Sequence, residues 1–111
     1  SNLDCRQWIK GVITENLIGV GCSGWMLDYA EALPFDAHLQ GHPDAATYHN
    51  AYPIEWAKVS REAIEEAGLG DEILFFSRSA FHCSPRYSTA FWTGDHLTSW
   101  RKEDGIKSVV V

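Results

Sequence analysis

Two short apolar runs, separated by a long amphipathic pattern, constrain the fold of this chain more than any other feature. The runs cover residues 25–27 and 73–76; Asp28 follows the first directly, and Arg78 follows the second two positions later. Between them, apolar side chains recur every three or four residues over 51–67, the period of a helix with one buried face. A helix that joins two buried strands predicts a parallel βα arrangement, because parallel strands need a crossover connection.

The ends of this central helix carry recognisable signals. Asn50 is suited to cap its start, and Pro53 fits its first turn, where a backbone donor is not needed. Gly68 or Gly70 is expected to end it.

An earlier helix is predicted over about residues 5–18 from the same spacing, with Asp4 as its cap. The pair Ser1-Asn2 resembles the remnant of a removed tag and is left out of the fold prediction. Residues 32–50 follow no clear period and contain two prolines, Pro34 and Pro43, which predicts a long functional loop.

After the second run, a short helical stretch over 85–90 and a third strand over 91–94 lead to Asp95. Three strands that each end near a polar residue place Asp28, Arg78 and Asp95 on one rim of the sheet. Active sites of (β/α)8 barrels lie on that rim.

A complete barrel of this kind needs roughly 200 residues or more, whereas this chain has 111. We therefore predict an α/β fold that forms about three central βα units of a (β/α)8 TIM barrel. Residues 1–111 are expected to be one fragment of a catalytic barrel, incomplete as an isolated chain. Its unpaired strand edges would favour self-association.

Composition excludes several classes of partner. The net charge is −6, and the nine Lys and Arg residues form no basic stripe, so neither nucleic acid nor an acidic membrane surface is an expected partner. No apolar run is long enough to span a bilayer, and none reads as a signal peptide.

Three cysteines, Cys5, Cys22 and Cys83, are too few and too odd in number for a disulfide framework, which favours a reducing, cytoplasmic location. The pair His82-Cys83 suggests a thiol nucleophile. Neighbours in sequence seldom aim at the same atom, however, and no third group that would orient them is evident.

Two aspartates stand in tryptophan- and glycine-rich surroundings: Asp28 within GWMLDYAE and Asp95 within FWTGD. Splitting a glycosidic bond uses one carboxylate that attacks or stabilises the sugar and one carboxylic acid that protonates the leaving oxygen. Aromatic rings hold the sugar. The pairing therefore indicates carbohydrate chemistry.

Three motifs, in the same order and with similar spacing, resemble glycoside hydrolase family 31, whose members are retaining α-glycosidases with a barrel catalytic domain. They are WMLDYAE at 25–31, YHNAY at 48–52, and the stretch from RSAF at 78–81 through RY at 86–87 to WTGD at 92–95. Residues 24–28, 56–58 and 72–76 are similar to the bacterial sulfoquinovosidase branch of that family.

The resemblance implies that Asp28 is the nucleophile, which forms a glycosyl-enzyme ester, and that Asp95 is the general acid and then the base. Their carboxyl groups are then expected about 5–5.5 Å apart. The chain departs from the family pattern at Cys83, where glycine is usual, and at Pro85, where glutamine is frequent.

The same resemblance implies four substrate-binding residues. Arg78 matches the family arginine that binds sugar hydroxyls near the nucleophile. Trp25 and Trp92 would line the pocket, and Glu31 would position its neighbours.

The expected function is hydrolysis of O-glycosidic bonds with retention, of the α-glucosidase or sulfoquinovosidase type, with an α-glycoside as partner and no cofactor. The sugar, the linkage and the choice between hydrolysis, transfer and lyase chemistry stay open. An alternative is that the isolated fragment is catalytically inactive.

Each residue also has a structural interpretation. Asp28 suits the end of a strand, Asp95 a turn or helix cap, and Arg78 an ion pair, while Trp25 and Trp92 suit a core. Glu31 suits an exposed position equally well.

A metal-binding module is a further alternative, since clustered imidazoles and carboxylates bind zinc. Its imidazoles would face together only on a helix, which Gly41 and Pro43 disfavour, so no metal is expected. The residues concerned are His38, His42, His49, Asp36 and Asp44.

Overall fold

Three short parallel strands form the sheet at the centre of the fold. The computed structural model of the protein describes residues 2–42 and 44–110. Strands β1 (Gly24–Leu27), β2 (Leu74–Ser77) and β3 (Ala90–Phe91) pair in the order β1-β2-β3. The predicted parallel βα arrangement is confirmed; Pro43, on which the loop prediction drew, lies outside the described residues.

The register brings the carboxyl ends of the strands to one edge of the sheet. Leu27 pairs with Ser77, and Ser77 pairs with Phe91. In the described part of the chain, β1 and β3 each pair only with β2, so the outer edge of each has no strand partner. Self-association through these edges stays a prediction.

The first helix, α1 (Leu3–Ile13), continues as a π-helical turn over Thr14–Ile18, which agrees with the predicted helix. Its predicted cap was wrong. Asn2 caps the helix, because its side-chain oxygen accepts hydrogen bonds from the backbone N–H groups of the first turn at 3.0 and 3.3 Å. Asp4 lies inside that turn, and excluding Asn2 from the fold prediction was an error.

The helical region before β2 begins earlier than predicted. Helix α2 (Ala45–Tyr48) and a 3-10 turn (His49–Ala51) precede helix α3 (Tyr52–Glu66). Asp44 caps this region by accepting from two backbone N–H groups at 3.0 and 2.9 Å. Asn50, the predicted cap, instead lies within the 3-10 turn, where the chain is already helical.

The remaining signals of α3 are confirmed. Pro53 lies in its first turn. The helix ends at Glu66, and Gly68 adopts a φ of 74°, the left-handed conformation that ends helices and favours glycine.

One face of the sheet packs against the helices, while the other is open. Leu74 on the open face is 49 % exposed and Met26 is 36 % exposed. The run at 73–76 is apolar on both faces of its strand, which predicts that both faces are covered. That prediction is wrong for the described residues. The core on the covered face consists of Leu27, Ala57, Ile64, Ile73 and Phe75.

Ion pairs join α1 to α3 beside this core. Arg6 contacts Glu55 at 2.7 Å and Glu62 at 2.8 Å, and Lys10 contacts Glu66 at 2.6 Å. Burial of Arg6 lowers its pKa, but hydrogen bonds and charge attraction from the two glutamates outweigh this effect, so its pKa is raised overall. The two helices are thus fixed to each other by charge as well as by apolar packing.

The helix predicted over 85–90 is only a 3-10 turn, Ser84–Arg86. Three residues after this turn, the backbone N–H of Thr89 already donates to the Phe75 carbonyl of β2 at 3.3 Å, so the chain is in strand pairing where the helix was predicted. A final short helix, α4 (Lys107–Val110), closes the described chain.

Candidate active site

Asp28 and Arg78 are the first residues after β1 and β2, and the edge of the sheet brings them together. The backbone N–H of Arg78 donates to the Leu27 carbonyl at 3.3 Å, which extends the ladder to the point where both side chains emerge. The Arg78 guanidinium then lies 3.2 Å from Oδ1 of Asp28. Neighbouring parallel strands thus supply an opposite-charge pair from positions 50 residues apart in the printed sequence.

Arg78 is held on three sides. Besides Asp28 it contacts Glu31, and its guanidinium lies 4.1 Å from the centre of the Tyr29 ring, a cation–π arrangement. The Ser79 hydroxyl donates to the other oxygen of Glu31. We call these residues, Asp28, Tyr29, Glu31, Arg78 and Ser79, the arginine cluster.

The charges of the arginine cluster reinforce one another. The hydrogen bond from Ser79 is the main cause that keeps the pKa of Glu31 below its ordinary value of 4.5, and Arg78 acts in the same direction. The hydrogen bond to Glu31 is in turn the main cause that raises the pKa of Arg78. At neutral pH, Glu31 is therefore an anion that holds a permanent cation beside Asp28.

The backbone just after Asp28 adopts an unusual conformation. Tyr29 and Ala30 have φ angles of 62° and 82°, which side-chain-bearing residues rarely adopt. The Tyr29 N–H donates to Oδ1 of Asp28 at 2.9 Å, and the Trp56 indole Nε1 donates to the Asp28 carbonyl at 3.0 Å. These contacts fix both the backbone and the side chain of Asp28.

Asp95 lies in different surroundings. Strand β3 ends at Phe91, three residues earlier than predicted, and only the Trp92 N–H extends its pairing, to the Ser77 carbonyl at 3.0 Å. The loop then turns at Gly94, whose φ of 101° favours glycine. Asp95 is exposed, and within the described part of the chain its carboxylate takes no hydrogen bond or ion pair.

Trp25 and Trp92, both predicted to line the substrate pocket, lie in different surroundings. Trp25 pairs with Phe75 in the register, and its ring stacks on the Phe75 ring with centroids 6.2 Å apart, on the covered face of the sheet. This placement favours a packing role. Trp92 is half-buried at the edge where the strands end. Contact of either residue with a substrate stays a prediction.

Two cavities border the arginine cluster. A cavity of about 350 Å³ is lined by Asp28 and Tyr29 together with Tyr52 and Trp56 of α3. A second, of about 230 Å³, is lined by Glu31 and Ser79, by residues of the 3-10 turn and by Pro53 of α3. Asp28 and Glu31 thus each border an open cavity.

Three residues of this arrangement were missed from the sequence: Tyr29, Ser79 and Trp56. Tyr29 and Ser79 are next to predicted site residues, and that adjacency was the available signal. Trp56 belonged to the apolar stripe of α3, and nothing in the stripe indicates that its N–H reaches Asp28.

Two histidines of the metal hypothesis, His42 and His49, stack on different aromatic rings. His42 stacks on Tyr48 with ring centroids 3.9 Å apart, and His49 stacks on Phe35 at 4.4 Å. No group of three or more His, Cys, Asp or Glu side chains suited to a metal forms among residues 2–42 and 44–110.

All three cysteines are free thiols, and the His82 ring packs edge-on against Phe81 at 4.6 Å. No helix within the described ranges is both long and apolar enough to cross a membrane.

Comparisons with known proteins bear on this arrangement. The family model described as "Glycosyl hydrolases family 31 TIM-barrel domain" matches residues 1–105. The sulfoquinovosidase of Escherichia coli (strain K12) is 46 % identical over 110 residues, which cover 99 % of this chain and 16 % of that protein. The sulfoquinovosidase of Agrobacterium fabrum (strain C58) is 36 % identical over 111 residues, covering 99 % and 17 %.

A solved structure is similar as well. It is a GH31 family sulfoquinovosidase from E. rectale in complex with the aza-sugar inhibitor IFGSQ, with a TM-score of 0.90 and 36 % identity. The match covers 98 % of this chain and 16 % of that one. The chain therefore spans about one sixth of the length of each of these relatives.

Proposed function

The chain belongs to glycosyl hydrolase family 31, and from this premise we propose that it supplies the catalytic carboxylates of a retaining α-glycosidase. The predicted fold class, an α/β chain that forms part of a TIM barrel, is confirmed. The rest of the barrel lies outside these 111 residues in this proposal. Among the described residues the outer edges of β1 and β3 have no strand partner, which supports it, because a closed barrel leaves no such edges.

The observation that carries the proposal is the arginine cluster at the carboxyl edge of the sheet. A carboxylate that attacks an anomeric carbon must be fixed and accessible. Asp28 is fixed through Oδ1, which the Tyr29 N–H and Arg78 hold at 2.9 and 3.2 Å. Its side chain is nevertheless 39 % exposed, so the carboxyl group stays accessible to a ligand.

The proposed reaction has two displacements. Asp28 attacks the anomeric carbon, the glycosidic C–O bond breaks, and Asp95 donates its proton to the leaving oxygen. Asp95 then removes a proton from water, which attacks the same carbon and releases Asp28. Two inversions at one carbon give net retention. Arg78, already a cation, holds Asp28 in place and binds sugar hydroxyls on the same side.

The proposed substrate is an α-sulfoquinovoside. Its support is the identity of 46 % and 36 % to two proteins named sulfoquinovosidases. Arg78 is already bound to two carboxylates. In our proposal the cations that bind the sulfonate therefore come from other segments of the barrel.

The test is covalent trapping of the nucleophile in a complete barrel. The host is a full-length protein that carries this segment, or the E. coli relative with this chain in place of its 46 % identical counterpart. An activated fluorosugar that forms a slow-turnover ester is added, and the labelled peptide is sequenced. The label is expected on Asp28, and Asp28→Ala is expected to lower kcat by about 10⁴-fold or more.

The matched control is Asp71→Ala, since Asp71 is an exposed aspartate in the turn before β2, away from the carboxyl edge. Its activity is expected to stay within about twofold of the unmodified protein. A label on another residue, or substantial turnover by Asp28→Ala, would defeat the assignment of Asp28.

A further inference from the structure

Trp56 reaches the candidate nucleophile from helix α3. Its ring packs against the hydrophobic core, half-buried, and its indole N–H points to the edge of the sheet, where it donates to the Asp28 carbonyl oxygen at 3.0 Å. The contact joins two residues 28 positions apart. It is the one hydrogen bond, among the described residues, that ties α3 to the backbone of Asp28.

The Asp28 carbonyl does not pair with β2. The last carbonyl of β1, that of Leu27, still accepts from the Arg78 N–H across the ladder at 3.3 Å. Immediately afterwards the chain turns through the left-handed conformations of Tyr29 and Ala30. Carbonyls that accept from β2 alternate along β1, with those of Ser23 and Leu27 among them, so the Asp28 carbonyl points to the other side of the strand, where the described residues supply no strand partner. A partly buried acceptor without a donor is costly.

The same peptide unit holds the Asp28 carboxylate. The bond between Asp28 and Tyr29 carries the carbonyl that Trp56 binds and also the N–H that donates to Oδ1 of Asp28 at 2.9 Å. A peptide unit is planar, so fixing its oxygen fixes the direction of its N–H. Trp56 thereby sets the orientation of the Tyr29 N–H, which donates to the Asp28 carboxylate.

We infer that Trp56 is a positioning residue, which orients the Asp28 carboxylate for attack through the Asp28–Tyr29 peptide unit. This inference rests on the proposed function of Asp28. Trp56 takes no part in bond making. Its hydrogen bond resists rotation of this peptide unit, which is followed by two residues in the strained left-handed conformation. Small displacements of a nucleophile lower the reaction rate strongly.

The test measures the rate constant of trapping by the fluorosugar in the complete barrel protein described above. Trp56→Phe keeps an aromatic ring but removes the donor. Replacement of Trp56 by 3-benzothienylalanine keeps the shape of the ring system as well, with sulfur in place of N–H. Both are expected to trap about 10- to 100-fold more slowly.

The amount of label at completion separates positioning from folding. A positioning role leaves the final stoichiometry equal to that of the unmodified protein, because every molecule is folded and reacts, only more slowly. A merely structural role lowers the stoichiometry and leaves the rate constant of the remaining molecules unchanged. Trp8→Phe, at a tryptophan 69 % exposed on α1, is the control that is expected to change neither quantity.

A rate constant within twofold of the unmodified protein for the benzothienyl variant would overturn the inference, whatever the phenylalanine variant does. Failure of the proposed function is a distinct result. In that case the unmodified protein forms no ester at Asp28, and Asp28→Ala retains turnover.

Discussion

The end of β1 and the end of β3 each carry a candidate catalytic aspartate, but they are built differently. Around Asp28, the segment itself supplies a guanidinium at 3.2 Å, a backbone donor at 2.9 Å and an indole donor to the carbonyl at 3.0 Å. Asp95 sits three residues beyond its strand's last ladder bond, exposed and with no side-chain partner among the described residues.

If the proposed roles hold, this difference means that the surroundings of the nucleophile are assembled within two βα units, while those of the acid depend on further segments. A nucleophile must keep one orientation and one charge. An acid and base must change its charge during the reaction, and its pKa depends on groups that face it. In our account those groups come from barrel segments beyond this chain.

The largest effect that would test the comparison concerns Asp95. Replacing Asp95 with alanine is expected to lower kcat/KM by about 10²- to 10⁴-fold on glycosides with poor leaving groups. Activated aryl glycosides, whose leaving oxygen needs no proton, are expected to lose far less. Steady-state kinetics on a series of leaving groups gives the dependence of kcat/KM on the pKa of the leaving group, which is expected to be steeper in Asp95→Ala than in the unmodified protein.

Glu103→Ala, at an exposed carboxylate in the same C-terminal region, is the control and is expected to leave the series unchanged. Equal losses on good and poor leaving groups would argue against an acid role for Asp95.

A smaller effect is expected at Arg78. Lysine keeps the charge but not the fork that bridges two carboxylates, so Arg78→Lys is expected to lower kcat/KM by about 10- to 100-fold, the range for charged hydrogen bonds. Arg101→Lys, at an exposed arginine, serves as the matched substitution. Wild-type activity in Arg78→Lys would mean that the bridge between Asp28 and Glu31 is not needed.

The smallest effect is a pH dependence that arises from Glu31. The pKa of Glu31 is lowered in the folded protein, so the stabilisation from its bonds to Arg78 and Ser79 is fully present above its ordinary value of 4.5. It is lost as the pH falls through the lower, folded pKa. Glu31→Gln removes the titrating group, and its melting temperature is expected to fall less than that of the unmodified protein on acidification below 4.5.

Thermal melting across that range checks the Glu31 prediction. Glu15→Gln, at an exposed glutamate in the π-helical turn, is expected to melt as the unmodified protein does at every pH. Parallel melting profiles for Glu31→Gln and the unmodified protein would contradict the role given to Glu31.

Local patterns were sufficient to place the first two strands and two residues of the site. An apolar run followed by a polar residue marks where a strand meets solvent, and parallel register brings such ends together. For this reason Asp28 and Arg78 were expected on one rim, and the structure has them in contact. Strands of four residues are too short to reveal whether one face or both are covered, and Leu74 and Met26 proved to be exposed.

Other features depend on contacts that sequence spacing does not encode. Asp44 and Asn50 are both suited to cap a helix, and only the folded chain decides between them. Tyr29 and Ala30 adopt positive φ without the glycine that would signal it. The Trp56 contact joins two elements with no periodic relation, so only the packing of α3 on the sheet reveals it.

The distance between the carboxyl carbons of Asp28 and Asp95, in an experimental structure of the complete barrel protein, tests the central claim most directly. Our account predicts about 5–5.5 Å with Arg78 in contact with Asp28, the separation of a retaining pair. A separation of about 6.5–9.5 Å would indicate an inverting enzyme instead. A value well beyond that range would mean that these two aspartates do not act on the same bond.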